Sequence, residues 1–351
     1  MAVKKYSYIF LILSILFSSC KSDDGTLFVN LPKTSCKTFS VKSDSININE
    51  IIKPFSFIKL QDFVVITGDG HKDLFLVYSF PEFKFLYSFG SKGTGPMDYL
   101  WPTIVYGTDV NKFYFYELSK QKLVFYNITG EKADYLGEKR LKITKGNVFH
   151  SLYYVNDSLY IVKEQNPKST ILSTVNINTG EKLHVLPNTF TDELTKTLGK
   201  EYYSTFDDYC FIYEPSNNNF SKVYYLIDRI ETGKTKNGKL FNKIAVGATK
   251  CPDFHLYSDD PDNFDIRKNI IYYETAYATT RHIYALYTKR TWGNETGAHI
   301  VDVFNWEGHR VRRLELDRNI SNFFVDSTDS ILCGFDITKD FDYIYKFKIN
   351  G

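Results

Sequence analysis

Four carboxylates crowd one short run, Asp259, Asp260, Asp262 and Asp265, and hard cations such as calcium need several such oxygens at once. The run departs from the calcium-loop pattern, because Phe264 stands at the fifth position and Asp265 where the turn glycine belongs. It reads as a solvated acidic loop, so no metal ligands are assigned and calcium stands as an unfavoured cofactor. Gly90, Gly93 and Gly95 ahead of Pro96 could offer backbone N–H groups to an anion. No Lys-Ser or Lys-Thr follows Gly95 and the dinucleotide glycine spacing is missing, which favours a structural turn between repeats. Ser56 with Lys59, and Ser119 with Lys122, have a nucleophile–base spacing, yet both pairs fall in strand-like runs rather than at a helix start. Neither a G-x-S-x-G elbow nor an H-E-x-x-H pair occurs, the sialidase Asp-box is absent, and the histidines are scattered without a ligand pair.

One residue is placed for a specific covalent modification. Lys4 and Lys5 precede an apolar stretch from Tyr8 to Phe17, and Ser18 and Ser19 stand directly before Cys20. This is the layout of an export leader, too short to cross a bilayer that asks for about 20 apolar residues. The segment Leu16, Phe17, Ser18, Ser19, Cys20 resembles the bacterial lipobox, in which the cysteine is diacylated, the leader (residues 1–19) is cut away and the new amino group is acylated. Phe17 stands where that pattern often has a smaller residue. Several acyl chains make a stable anchor where one would not, so the membrane is an expected partner through Cys20, with residues 20–35 as a lipidated tether. Lys21, Ser22, Asp23, Asp24 and Gly25 resemble the short acidic signal that sends lipoproteins of Bacteroidota-type bacteria to the outer face of the outer membrane. The expected location is therefore the outer membrane, lipid-anchored, with the leaflet left open between the cell surface and the inner side. Cys36, Cys210, Cys251 and Cys333 allow three disulfide pairings, but without a C-x-x-C they read as isolated free thiols.

The elements that would position any site are strands. Short alternating runs rich in Val, Ile, Tyr and Phe fill the chain from Phe55 onward, punctuated by Gly, Asn and Asp. Runs at 63–67, 112–116, 158–163, 209–213, 282–287 and 330–335 each look like the second strand of a small sheet. Glycine turns at Gly130, Gly180, Gly233 and Gly308 recur at roughly blade-length intervals, with one long insertion. The 351 residues, less the leader, divide into six units of about 55, which fits a six-bladed β-propeller spanning residues 36–351. The last unit shows three strands, so an N-terminal strand, expected at residues 37–42, must close it and remove the open edges. A short helix is expected over 191–199, and residues 247–269 form a long polar connection. The 43 basic and 41 acidic side chains leave no basic stripe, which argues against nucleic acid as a partner.

The run Phe89, Gly90, Ser91, Lys92, Gly93, Thr94, Gly95, Pro96, Met97, Asp98, Tyr99 resembles the glycine-proline-acid-aromatic segment of the TolB-like six-bladed propeller lipoproteins of Bacteroidota. Met97 and Asp98 depart from the usual small residue and Glu. The resemblance implies an all-β propeller at the cell envelope and carries no catalytic residues. Gly93, Gly95, Pro96, Asp98 and Tyr99 are loop candidates. Trp101 and Trp292 are the expected exposed rings for sugar or peptide binding. The sequence favours a non-catalytic binding or scaffold propeller for an envelope protein, peptide or glycan. The alternative is a propeller hydrolase, calcium-dependent and lactonase-like or glycan-cleaving, with its site in the central channel.

Overall fold

Nearly every strand carries apolar residues on both faces, and each face needs a neighbouring sheet. A ring of blades supplies that. The computed structural model describes residues 20–21, 27–50, 53–107, 110–141, 149–166, 169–198, 206–252, 254, 268–292, 294, 297–338 and 340–350. The leader and the Asp259–Asp265 acidic run lie outside the described residues.

Six antiparallel meanders follow one another. Blade 1 runs through Lys53–Lys59, Phe63–Asp69, Asp73–Ser79 and Phe85–Ser91. Blade 2 uses Pro102–Tyr106, Lys112–Glu117, Lys122–Ile128 and Ala133–Arg140, and blade 3 uses Phe149–Tyr154, Leu159–Asn166, Ser169–Asn176 and Glu181–Leu186. Blade 4 comprises Tyr209–Glu214, Asn219–Tyr224, Arg229–Lys236 and Lys239–Gly247, and blade 5 Ile270–Ala278, His282–Thr291, Ala298–Asn305 and Arg310–Ile320. Blade 6 has Asn322–Val325, Ile331–Asp336 and Asp340–Lys348 from the C-terminal end, and takes its outermost strand, Ser43–Asn47, from the N-terminal part of the chain. The helix Thr191–Leu198 lies between blades 3 and 4, with Leu194 buried in their shared core.

The core is a set of slabs between neighbouring blades. Because strand side chains alternate, Ile58 and Val65 of blade 1 face Phe113 and Phe115 of blade 2. Phe57, Val64 and Ile66 face the other way, onto Phe324, Phe335 and Ile344 of blade 6. The same two-sided arrangement repeats around the ring.

Three sequence expectations need correction. The closing strand is Ser43–Asn47, not residues 37–42; Thr38–Val41 instead runs parallel to Arg310–Ile320 on the rim of blade 5. Both segments alternate, and only the inward reach of Ile46 and Ile48 into the slab between blades 6 and 1 separates them. Tyr209–Glu214 is the first strand of its blade, not the second. Gly233 lies inside a strand, pressed by the Phe220 ring and the Phe241 carbonyl. The hairpin turns instead at Asn237 and Gly238, whose φ values of 51° and 73° suit an Asn-Gly turn.

Residues read as a tether are also engaged. Leu27–Leu31 runs parallel to Lys239–Gly247 on the rim of blade 4, and the Cys20–Lys21 backbone pairs with Phe28 and Leu27. Together with Thr38–Val41 and Ser43–Asn47, this strap crosses the outer edges of three consecutive blades. Charged groups clamp it. The Lys33 ammonium reaches the Asp228 carboxylate and the Tyr273 hydroxyl, both at 2.8 Å, and the Arg310 guanidinium donates to the Thr34 carbonyl. Arg229 donates to Asn30 at 3.3 Å and to the buried Glu231 at 2.7 Å. Burial alone would raise Glu231, but Lys222 and Arg229 overcome it and hold its carboxyl down to about 2.

Glu231→Gln strips two buried cations of their counter-charge and is expected to lose about 3–5 kcal/mol at neutral pH. A carboxyl whose folded pKa is depressed stabilises fully above its ordinary value of 4.5, and that stability fades as pH falls toward 2. In urea unfolding the gap between wild type and variant should therefore close across that acid window.

Candidate functional site

The first strand of each blade lines the ring's axis, and where six such strands face one another their side chains enclose a channel. Its volume is about 650 Å³, and all six blades contribute to the wall. Residues just past the ends of these strands, Gln61, Val110, Pro215, Thr279 and Ser327, complete it. The channel therefore opens on the face that carries the turns after first strands.

Tyrosines dominate one side of the wall. The first strands of blades 2 and 3 touch directly, pairing in parallel at Val105 with Leu152 and Tyr106 with Tyr153, and the rings of Tyr106 and Tyr153 stack at 5.5 Å. Tyr153 donates its hydroxyl proton to the Phe211 carbonyl at 2.6 Å, tying blade 3 to blade 4. Lys163 crosses the same joint, pairing with Asp208 at 2.7 Å beneath the Tyr209 and Tyr225 rings. Cys210 donates weakly to the Ala276 carbonyl of blade 5 at 3.8 Å. Tyr106 stays 38% exposed inside the channel, yet protein surrounds it, and this burial pushes its phenol up to about 12. Burial likewise raises Tyr277 to about 12 and pushes the Cys210 thiol up. These phenols stay protonated at neutral pH, so they act as hydrogen-bonding and stacking groups, not as bases.

Two ionisable groups at the mouth are already engaged. Glu214 accepts the backbone N–H groups of Ser216 and Asn217, each at 2.9 Å, and so shapes a turn. The Lys59 ammonium donates to the Gln61 carbonyl at 2.6 Å and lies 4.2 Å over the Phe80 ring. Burial lowers Lys59 to about 8. Among the described residues no three His, Cys, Asp or Glu side chains gather as a metal site would require.

The family described as TolB-like 6-blade propeller-like matches residues 34–328. The chain belongs to the TolB-like propellers. The solved structure of a Bacteroides fragilis protein assigned as exported aligns with 92% of this chain and 100% of its own, at 12% identity and a TM-score of 0.58. A member of the DUF4221 family from Bacteroides vulgatus aligns with 87% of this chain and 95% of its own, at 12% identity and a TM-score of 0.55. At such identities the likeness is one of fold. No curated protein matches the chain.

The TolB-like signature loop sits on the opposite face, between blades 1 and 2, and serves the architecture. Gly93 and Gly95 fold around the Asp98 carboxylate, which accepts the Gly95 N–H at 3.0 Å. A Cβ on either glycine would stand 2.6 Å from Asp98 Oδ2, so close approach, not a left-handed backbone, selects glycine at both. Lys120 ties the loop to blade 2 through the Asp98 carbonyl at 2.6 Å, while Tyr99 is fully buried with its hydroxyl 3.0 Å from that of Tyr126. The anion in this cradle is the chain's own.

Of the two expected rings, that of Trp101 is exposed on this opposite face, while the residue's backbone N–H donates to the buried Glu117 carboxylate. Trp292 is half-buried against the core between blades 3 and 4. Neither lines the channel, and the structure does not bring them together. Cys36, Cys210, Cys251 and Cys333 are free thiols. The channel tyrosines escaped sequence reading because their runs look like every other strand. The one local signal was Tyr106 standing directly before Gly107, whose φ of 80° marks the end of a first strand.

Gly95→Ala and Asp98→Ala should each lower stability by about 1–2 kcal/mol. The double variant should lose less than the two losses combined, since the clash and the broken bond share one carboxylate. Urea midpoints of the four proteins measure this.

Proposed function

We propose that this TolB-like propeller is a non-catalytic binding module of the cell envelope, which takes a peptide, glycan or exposed protein segment into the mouth of its central channel. The observation that carries this reading is the channel wall itself. It offers stacking rings, protonated phenols and the hydroxyls of Ser151 and Thr275 in one concave site, a combination suited to sugars and peptides. The hydrolase reading needs carboxylates converging on the axis, and Glu214, which lines the mouth, is committed to its own turn. The leader and the lipobox-like Leu16 to Cys20 segment support export and acylation at Cys20, with the outer membrane as the site of anchoring.

Two measurements test this. Ligand captured from envelope extract by the immobilised protein, then titrated calorimetrically, should bind Tyr106→Ala about tenfold more weakly than wild type and Trp101→Ala equally well. Equal losses in both variants, or a loss confined to Trp101→Ala, would move the site off the channel. In detergent phase separation of cells expressing the full chain, wild type should enter the detergent phase and Cys20→Ser the aqueous one. Aqueous wild type would remove the anchor from the proposal.

A further inference from the structure

The charge balance of the chain hides a local asymmetry. Removing the leader with Lys4 and Lys5 takes 43 basic residues to 41, equal to the 41 acidic ones, so no net field draws the protein to an anionic surface. The outer hairpin of blade 4 is different. Lys234, Lys236 and Lys239 are exposed around its Asn237–Gly238 turn, and Lys243 follows half-buried on the outermost strand. Among the described residues none of the four has a carboxylate within ion-pair distance. Elsewhere on the rims, lysines such as Lys122, Lys132 and Lys182 are paired with acids.

An apolar ridge adjoins this hairpin. The outermost strand of blade 3, Glu181–Leu186, exposes Leu183 at 45% and Val185 at 47%. Its neighbour His184 accepts the Leu240 N–H at 3.3 Å, which joins the two rims. A Cβ on Gly238 would lie 3.7 Å from the Leu183 side chain, so the lysine turn and the ridge form one continuous surface. Lysines flanking exposed aliphatic side chains are the composition that sits at a lipid interface, ammonium groups among phosphates and apolar groups just beneath.

The strap places the anchor beside it. Cys20 pairs with Phe28, and that strand pairs with the lysine-bearing strand Lys239–Gly247. Two strand spacings, about 10 Å, separate the Cys20 backbone from that strand. We infer that the joined rim of blades 3 and 4, carrying Lys234, Lys236, Lys239, Lys243, Leu183 and Val185, docks on anionic phospholipid headgroups. This extends the reading of Cys20 as an anchor, but its test does not need acylation.

The chain from residue 20 onward with Cys20→Ser is mixed with sedimenting vesicles of pure phosphatidylcholine, or of phosphatidylcholine with about one third phosphatidylglycerol. It should bind the anionic vesicles and leave the neutral ones, with affinity falling as salt rises. A lysine near such a surface strengthens binding about fivefold, so Lys234→Gln/Lys236→Gln/Lys239→Gln should lose well over tenfold. Leu183→Ser/Val185→Ser should lose several-fold. Lys72→Gln/Lys84→Gln, exposed on blade 1, should bind as wild type, and matching circular dichroism spectra confirm that the variants fold. Equal binding to both vesicles, no binding to either, or equal losses in the blade 1 variant would overturn the proposal. A Cys20→Ser chain that docks while wild type proves unacylated would sink the anchor alone.

Discussion

Ring closure is the constraint on which the rest depends. A blade buries both faces, so a row of blades left open would expose one slab at each end. The join between blade 6 and blade 1 is therefore as much a core as any other, with Phe57 packed against Phe324 and Phe335 at centroid distances of 5.3 and 4.4 Å. Blade 6 is completed by a strand from the far end of the chain, and Ile48, just beyond that strand, is buried in the same slab. Closure converts a quasi-linear repeat into a single cooperative unit. It also forces six first strands to face one another, and the channel is the space left where their side chains do not fill the axis.

The strap adds a second layer to that closure. A propeller needs only Ser43–Asn47 to complete its last blade, yet the preceding residues continue outward over blades 5 and 4. They are held by polar clamps as well as by apolar packing. Asp302, fully buried, gathers Arg310 and Arg313 together with the more distant Lys33, and Asp228 holds Lys33 directly. Each buried carboxylate is costly to desolvate and is compensated only when its cations are in place. The strap thus docks in one register or leaves several charges unpaired, which fixes the path of residues that a sequence reader takes for a loose tether.

How far the sequence discloses this follows from what periodicity can carry. Alternation in runs such as Val64, Val65, Ile66 announces a strand buried on both faces, and blade-length glycine turns announce the ring. Periodicity does not say which edge a strand joins. Thr38–Val41 and Ser43–Asn47 have the same pattern, and Phe39 and Val41 pack between blades 5 and 6 just as Ile46 and Ile48 pack between 6 and 1. Nor does it rank strands within a blade, so Tyr209–Glu214 could be read as second when it is first. The channel suffers most, because its wall is assembled from a short run in each of six blades, and these runs lie far apart in the chain and share no local motif. The signature loop shows the opposite case. Its glycines and acid are conspicuous in sequence because they touch one another, and that mutual contact is what they are for.

Geometry then links the channel to the rim. In an antiparallel meander the turns after first and third strands share one face, so the Asn237–Gly238 hairpin lies on the same face as the channel mouth, at its periphery. A disc resting on its blade 3 and blade 4 rim stands on edge, and its mouth looks along the membrane plane instead of into the bilayer. The Cys20 backbone, the lysine turn and the aliphatic ridge all fall on one sector of the rim, so rotation about the disc axis would lift all three from the surface together. The opposite face, with Trp101 and the Asp98 loop, would be equally free of lipid. Were the rim to dock as inferred, the edge-on propeller would leave its central channel open beside the membrane, where a disc lying flat on its mouth would close it.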